Sequence, residues 1–204
     1  MKLLKMQEDV INSKKRVVVL TAQAGSGRTT ALIVKLLDEA ANNPRNMGVF
    51  LRRTQSQIKW HVEGMLNKFP KSRYSKVSGI LTAPYKGKTV KIKFLSVDDL
   101  NVDEFIPLIA IDQAGQFNNI PDIIKASGRV IISDYISEIE EEDSWAYESG
   151  LLTNPSGEKP IWDNCVDHVV GYAHNNPNLR PEYLEALYNC NSKDVEHLMR
   201  VKFK

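Results

Sequence analysis

The fold of this chain is decided by residues 16–42, which read RVVVLTAQAGSGRTTALIVKLLDEAAN. Residues 16–22 are a short β-branched run, which is typical of a buried strand. Residues 23–27 form a glycine-rich turn, and in residues 29–42 apolar side chains recur at helical spacing. A buried strand, a glycine-rich turn and a helix in this order predict a loop that binds phosphate.

The residue types of the turn fit this chemistry, because their spacing is that of the G-x-x-x-x-G-K-[ST] motif. Gly25 and Gly27 let the backbone curl so that several N–H groups face one anion, and Thr29 is expected to offer its hydroxyl to Mg²⁺. Two positions deviate, since Ala22 replaces the first glycine and Arg28 replaces the lysine. Arginine keeps the charge but is not the same compact contact, so binding should survive better than catalysis.

The predicted nucleotide contacts are Gln23, Ala24, Gly25, Ser26, Gly27, Arg28, Thr29 and Thr30. The alternative is a glycine-rich strand–helix turn that binds no ligand.

A second candidate position follows the apolar run at 105–111 (FIPLIAI), which predicts another buried strand. A nucleoside triphosphatase of this type needs a carboxylate at a strand end to hold Mg²⁺, often followed by a glutamate that orients water. Asp112 stands at this place, but the next residue is Gln113. An amide can hold a water but cannot take its proton, and a missing general base costs on the order of 10²–10⁴-fold in rate. The alternative is that Asp112 merely starts a turn.

The rest of the chain predicts an α/β fold. Further strands are expected at 47–51, 129–133 and 150–153, helices at 55–69 and 181–188, and a two-stranded ribbon within 73–94 that turns at 85–88. Strands alternating with helices predict a central, mostly parallel sheet flanked by helices, with the ribbon as an insertion. We expect one domain over 1–204, with about 175–204 as an alternative C-terminal appendage.

Composition excludes several other classes of protein. The net charge is +2, from 27 Lys+Arg and 25 Asp+Glu, which does not by itself indicate nucleic-acid binding. The two cysteines form no CxxC pair, so free thiols in a reducing compartment are expected. No secretory leader and no apolar run of membrane-spanning length is visible. These features predict a soluble, cytoplasmic protein without a membrane partner.

Five stretches, in order, resemble motifs of the ATPase domain of phage terminase large subunits, the motors that pump DNA into viral capsids. They are Gln7, 49–58 (VFLRRTQSQI), 112–117 (DQAGQF), 152–155 (LTNP) and 176–183 (NPNLRPEY). The second stretch is similar to that family's strand with a following R-[RK]-T, the third to its D-E-A-x-x-F, the fourth to its T-x-N-P coupling motif and the last to its N-P-x-L-x-P-x-Y.

The resemblance implies an ASCE-type P-loop fold, hydrolysis of Mg-ATP and translocation of double-stranded DNA by a homo-oligomeric ring in the host cytoplasm. It also implies a portal ring and a small terminase subunit as partners. By the same resemblance Gln7 reads adenine, and Thr153 and Asn154 sense the γ-phosphate. Arg28 and Gln113 depart from the family at its two most catalytic positions. The chain has no room for the family's nuclease, so we expect an isolated or separately encoded motor domain, which could be a monomer on its own.

Two other functions stay open from the sequence alone. The first is a non-hydrolysing subunit that uses nucleotide as structural glue, and the second is another P-loop enzyme, such as a helicase-like ATPase or a small kinase. Arg52 and Arg53 are candidate contacts to phosphate or DNA, and Arg129 is a candidate arginine finger. Lys91 and Lys93 share one face of the ribbon, which either meets DNA phosphates or is simply solvated.

Overall fold

The structure is a computed structural model that describes residues 3–135, 144–152 and 165–182. Its strands are β1 (Val17–Ala22), β2 (Met47–Arg52), β3 (Arg73–Ser75), β4 (Ile80–Tyr85), β5 (Lys88–Ser96), β6 (Ile106–Asp112), β7 (Ser127–Asp134) and β8 (Val166–Gly171). Its helices are α1 (Lys5–Asn12), α2 (Arg28–Asn42), α3 (Gln55–Lys68), α4 (Ile120–Ala126) and α5 (Trp145–Glu148). The strands belong to a mixed, mostly parallel eight-stranded sheet, so the predicted α/β class is confirmed.

The chain divides into two compact units. The central unit is Leu32–Ile132, and the terminal unit combines Met1–Ala31 with Ser133–Lys204. In the central unit the strand order is β3-β4-β5-β2-β6. Strands β5, β2 and β6 run parallel, while β3, β4 and β5 are antiparallel to their neighbours in the ribbon. The carboxyl ends of β5, β2 and β6 therefore point the same way, which is where ligands gather in open α/β sheets.

In the terminal unit, β1 pairs in parallel with β8, from Val17 opposite Val166 to Ala22 opposite Gly171. All six residues of β1 are buried, the pattern of a parallel strand covered on both faces. A Cβ atom on Gly171 would lie 2.8 Å from Sδ of Met6 in α1, so glycine is what lets α1 approach the end of this strand pair.

A buried charge network lies on the face of α2 in the central unit. Lys35 is fully buried, and its Nζ lies 2.7 Å from a carboxylate oxygen of Glu39. The same oxygen is 3.0 Å from Nη2 of Arg129 on β7. A buried ammonium needs such a counter-charge, because transfer of an unpaired charge out of water is costly. Arg129, the candidate arginine finger, thus has a structural contact within its own chain.

Most of the elements that the sequence predicts are present with small shifts of their ends. The ribbon is present as β4 and β5, with Lys86 and Gly87 in the left-handed region at the turn. It has a third strand, β3, and β5 also pairs in parallel with β2, so the ribbon continues the sheet. Helices α1, α4 and α5 and strand β8 were not predicted from the sequence.

The strand predicted at 150–153 is wrong for the part that the structure describes. Gly150 has φ +64°, and the N–H groups of Leu151 and Leu152 both donate to the carbonyl of Ala146, at 3.0 and 3.3 Å. These bonds close the end of α5 instead of forming a strand. Of the helix predicted at 181–188, residues 181 and 182 are helical and the others lie outside the described residues.

Within the described ranges, no helix is long and apolar enough to cross a membrane. The same residues contain no group of three His, Cys, Asp or Glu side chains that could hold a metal ion among themselves. Cys165 is a free thiol, and Cys190 lies outside the described residues.

Candidate nucleotide-binding site

The predicted phosphate loop connects β1 to α2 and depends on two glycines. Gly25 and Gly27 have φ of +79° and +88°, the left-handed region that other residues enter only at a cost. A Cβ atom on Gly27 would lie 2.8 Å from Nε2 of Gln7. The Ser26 N–H donates to the carbonyl of Gln23 (3.2 Å), and the Ala31 N–H donates to the carbonyl of Gly27 (3.0 Å). The loop therefore passes directly into the first turn of the helix.

Gln7 holds the end of the loop from α1. Its Nε2 donates to the carbonyl of Gly27 at 3.2 Å, and its Oε1 accepts from the N–H of Leu4 at 3.0 Å. The side chain is buried. Both ends of the amide are thus in use within the chain, and an adenine contact would fall to the second Nε2 hydrogen and the second lone pair of Oε1.

The segment after β8 holds the start of the loop. The N–H of Gln23 donates to the carbonyl of Gly171 (3.0 Å), and its Oε1 accepts from the N–H of Ala173 (2.9 Å). Nδ2 of Asn176 donates to the carbonyl of Gly25 at 2.6 Å. Asn176 belongs to one of the motifs that carry the family resemblance, but it was not predicted to be a site residue. Its place in that motif was the sequence signal that could have identified it.

Arg28, the residue at the lysine position of the motif, is buried and contacts two other residues of the terminal unit. Its Nη1 lies 3.4 Å from the carbonyl oxygen of Ala22, and its guanidinium carbon lies 3.9 Å from the centre of the Tyr135 ring. This distance is that of a cation–π contact. The planar guanidinium can stack in this way while its charge stays at the loop, which a lysine ammonium does less well.

The side-chain hydroxyl of Ser26 fits an anionic ligand at the loop. Its Oγ is buried, and among the residues that the structure describes it has no hydrogen-bond partner. A buried hydroxyl without a partner costs about 1–3 kcal/mol relative to a satisfied one. An oxyanion held by the surrounding N–H groups would accept its hydrogen. Ala24, Thr29 and Thr30 are half-buried beside it.

Asp112 is the last residue of β6 and is completely buried. Its Oδ2 lies 3.5 Å from Nη2 of Arg52 and 3.9 Å from Nε2 of His61. Arg52 in turn donates from Nε to His61 Nε2 at 2.9 Å. Burial and the Arg52 charge lower the pKa of His61 to about 4, although Asp112 opposes this shift. His61 is therefore a neutral acceptor for Arg52 at pH 7, and Arg52 is the positive partner of Asp112.

Gln113 follows Asp112 in the left-handed conformation, with φ 63° and ψ 65°. Its side-chain oxygen accepts from Nε2 of Gln116 at 2.9 Å.

A cavity of about 450 Å³ lies beyond the carboxyl ends of β2, β5 and β6, and Gln116 is part of its wall. The other lining residues are Arg53, Thr54, Val97, Asp98, Phe117, Asn118 and Asn119.

The remaining predicted residues are distributed as follows. Thr153 and Asn154 lie outside the described residues. In the ribbon, Lys86 pairs with Asp38, and Lys88 donates to the carbonyl of Ala41 at 2.6 Å, so both are engaged with α2. Lys91 is exposed and Lys93 is half-buried, and their role toward DNA stays a prediction.

No protein-family model matches this chain, and no characterised protein matches it by sequence. The phosphate loop between a buried parallel strand and a helix, within a mostly parallel sheet, defines the fold of a P-loop NTPase. More narrowly, it is the fold of the ATPase domains of phage large terminases.

The large terminase of a thermophilic bacteriophage, in complex with ATP-γ-S, matches with a TM-score of 0.68 and 10% identity, over 93% of this chain and 50% of that one. Another crystal form of the same terminase has a TM-score of 0.63 and 12% identity, over 96% of this chain and 52% of that one. The ATPase domain of the Thermus phage P74-26 large terminase has a TM-score of 0.62 and 15% identity, over 97% of this chain and 92% of that one. The chain therefore spans about half the length of the first of these terminases. At these identities the likeness establishes the fold.

Proposed function

We propose that this chain binds Mg-ATP at the phosphate loop and hydrolyses it as the motor domain that drives packaging of viral double-stranded DNA. The observation that carries the proposal is the loop itself, with Gly25 and Gly27 in the left-handed region and the Ser26 hydroxyl buried without a partner in the described chain. The likeness to large-terminase ATPase domains over almost the whole chain supports it.

In this proposal the backbone of residues 23–30 and the N-terminus of α2 hold the phosphates, and Arg28 contributes positive charge. Thr29 and Asp112 are the proposed Mg²⁺ ligands, and both are oxygen donors of the kind that this ion prefers. Bound Mg²⁺ would neutralise charge that develops on the phosphates. Gln7 is the proposed adenine contact, and Thr153 and Asn154 are proposed to couple phosphate binding to DNA movement.

The partners are proposals at the same level. Double-stranded DNA, a portal ring, a small terminase subunit and a ring of identical subunits are what a packaging motor requires. The supporting fact is the fold, which is shared with the large terminases of the thermophilic bacteriophage and of P74-26. The host-cell cytoplasm is the corresponding location.

A second function, binding of nucleotide without hydrolysis, is favoured by two features of the chain. The guanidinium of Arg28 is engaged with the carbonyl of Ala22 and the ring of Tyr135, and Gln113 cannot act as a general base. A chain with both features could keep ATP bound as a structural element in an assembly.

The deciding experiment measures Mg-ATP binding and steady-state hydrolysis on the parent chain and on Gln113→Glu, with and without double-stranded DNA. The motor function predicts that ATP binds, that the parent is nearly inactive, and that Gln113→Glu raises turnover by about a hundredfold or more. Stimulation by DNA would separate the motor from a small-molecule kinase.

Two outcomes would contradict the proposal. Binding of ATP without hydrolysis by either protein, with DNA and partners present, would favour the non-hydrolysing function. A chain that binds no nucleotide would remove the ATP site altogether.

A further inference from the structure

The cavity beyond the carboxyl ends of β2, β5 and β6 is formed by residues of the central unit. Its volume of about 450 Å³ is within the range of small-molecule sites, roughly 300–1,000 Å³. It lies at the edge of the sheet where ligands gather in open α/β folds. The phosphate loop, which the structure describes in full, contributes no residue to its wall. The chemistry of the wall therefore decides what this cavity can bind.

Two opposite charges in the wall are available to a ligand. Arg53 follows β2 and Asp98 follows β5, and both residues are exposed. Within the part of the chain that the structure describes, neither side chain makes an ion pair or a hydrogen bond, and the two do not pair with each other. The neighbouring carboxylate differs, because Asp99 accepts from Nε2 of Gln55 at 2.7 Å and from the hydroxyl of Ser96. A ligand in the cavity can therefore meet one free guanidinium and one free carboxylate.

The wall also contains an unpaired acceptor and some apolar surface. Oδ1 of Asn119 is buried and has no hydrogen-bond partner among the described residues. A buried acceptor without a donor costs free energy, so a ligand that donates a hydrogen bond beside Asn119 is favoured. Val97 and Phe117 supply apolar side chains. The cavity thus combines one cation, two acceptors and a surface against which a flat ring can pack.

The carboxylate of Asp98 disfavours a phosphate ligand at this place. The sequence made Arg53 a candidate contact to phosphate or DNA, but a phosphate group is repelled by an unpaired carboxylate in the same cavity. A neutral, planar ligand with acceptors on one edge and donors on another fits both charges. Guanine has this arrangement, because O6 and N7 accept from a guanidinium while N1–H and N2–H donate to a carboxylate. Adenine and cytosine each carry one amino group without an adjacent N–H, so they engage a carboxylate less well.

We propose that this cavity binds a guanine base. Arg53 donates to O6 and N7, Asp98 accepts from N1–H and N2–H, and Oδ1 of Asn119 is the acceptor for the second hydrogen on N2. The base packs against Val97 and Phe117. This site is independent of Mg-ATP binding at the phosphate loop. The base edge is the same in a free guanine nucleotide and in a guanine of a single strand, and the experiment separates these two sources.

The first measurement is an NMR titration of the ¹⁵N-labelled chain with 5′-GMP and with 5′-IMP. The base of IMP is guanine without the amino group at N2, and the phosphate is the same in both, so the ratio of the two affinities reports the base alone. We expect GMP to bind about tenfold more tightly than IMP, since charge-assisted hydrogen bonds from N2 are lost in IMP. The signals that move should be those of residues 97–98 and 116–119.

Two substitutions separate the roles of the charges. We expect Asp98→Asn to reduce the ratio of GMP to IMP affinity to less than about twofold, because the carboxylate that reads N2 is gone. We expect Arg53→Gln to weaken both ligands about tenfold and to keep the ratio, because O6 and N7 are common to both. Asp103→Asn and Arg45→Gln are the matched controls, since they remove the same charges at exposed positions outside the cavity, and both affinities should stay within about twofold. The amide spectrum of each variant shows whether it is folded.

The source of the base is identified with the single-stranded pentanucleotide dT-dT-dG-dT-dT and its counterpart with deoxyinosine at the centre. A preference for the dG strand without binding of GMP supports the proposal with a strand as the source, and the converse supports a free nucleotide. Equal affinity for the guanine and hypoxanthine members of both pairs, or a ratio that Asp98→Asn leaves unchanged, would overturn the proposal. Failure of Mg-ATP to bind would remove the proposed function and leave the guanine site standing.

Discussion

At the scale of single residues, the candidate site depends on a glycine with positive φ and on a few buried polar side chains that contact one another. Gly27 adopts φ +88° where Gln7 approaches from α1. His61 is kept neutral so that it can accept from Arg52, which in turn faces Asp112. Changing either arrangement should alter the free energy of unfolding, which can be measured.

We predict that Gly27→Ala lowers the free energy of unfolding more than Gly87→Ala does. Both glycines have positive φ, so both substitutions cost roughly 1–2 kcal/mol of backbone strain. Only at Gly27 would the new methyl group meet Gln7 Nε2, at 2.8 Å, whereas nothing lies within 4 Å at Gly87. Displacing Gln7 breaks its hydrogen bonds and adds about 1 kcal/mol. Urea unfolding measures the difference, and equal losses for the two variants would contradict it.

The stability of the metal-free chain should fall as the pH is lowered from about 6.5 to about 4. The folded state holds the pKa of His61 at about 4, below its ordinary value of 6.5, because burial and Arg52 oppose the charge. The unfolded chain therefore binds the proton first, and stability present above pH 6.5 is lost on acidification, on the order of 3 kcal/mol in all.

Urea unfolding in the presence of EDTA at several pH values measures this effect. The variant His61→Gln keeps an acceptor for Arg52 but does not titrate, so its profile should be flatter between pH 4 and 6.5. His174→Gln is the control at an exposed histidine. If the two variants flatten the profile equally, His61 is not the group responsible.

At the scale of elements, α3 shows how sequence signals and packing agree in one helix. It begins with the Thr54 capping box, and it buries Ile58, Val62 and Met65, which lie on one face at helical spacing. Its other face is exposed, including Trp60 with 77% of its surface accessible. Gly64 lies inside the helix, where glycine costs backbone entropy.

We predict that Gly64→Ala stabilises the chain by about 0.5–1 kcal/mol. A Cβ atom at this position would have nothing within 4 Å, so the substitution adds helix propensity without a clash. Gly48→Ala in β2 is the opposite case, because its Cβ would lie 2.7 Å from Cδ1 of Leu36, and it should destabilise. Thermal unfolding of both variants checks the two signs, and destabilisation by Gly64→Ala would mean that α3 needs glycine for a reason outside these contacts.

At the scale of the whole molecule, the phosphate loop is held by parts of the chain that are distant in sequence. The terminal unit is assembled from residues near both ends of the chain, and β1 finds its parallel partner β8 only there. One hydrogen bond joins the loop to Gln7, and three more join it to residues 171–176. Nucleotide affinity should therefore depend on residues far from the motif in sequence.

We predict that Asn176→Ala weakens Mg-ATP binding by about tenfold and lowers stability by about 0.5–1.5 kcal/mol. The substitution removes the Nδ2 bond to the Gly25 carbonyl, which holds the loop in its left-handed turn. Asn178→Ala is the control, because Asn178 is exposed and its backbone N–H, which the substitution keeps, is what bonds to Asn176. Calorimetry and urea unfolding give the two numbers, and equal affinity in both variants would show that the loop keeps its shape without Asn176.

The sequence alone determined the features that depend on near neighbours in the chain. The β-branched run of β1, the glycines of the loop and the helical spacing of α2 are local, so their pattern predicted the strand, the turn and the helix together. The same holds for the turn of the ribbon and for Asp112 at the end of a buried strand. The fold class followed from these pieces.

Only the tertiary structure decided which distant residues meet. The contacts of Gln7 and Asn176 with the loop span 20 and 151 residues, and no local pattern encodes them. The same applies to the pairing of β5 with β2 and to the partners of Arg52. The strand predicted at 150–153 failed because apolar residues that close a short helix have the same composition as a short buried strand, and packing alone distinguishes the two.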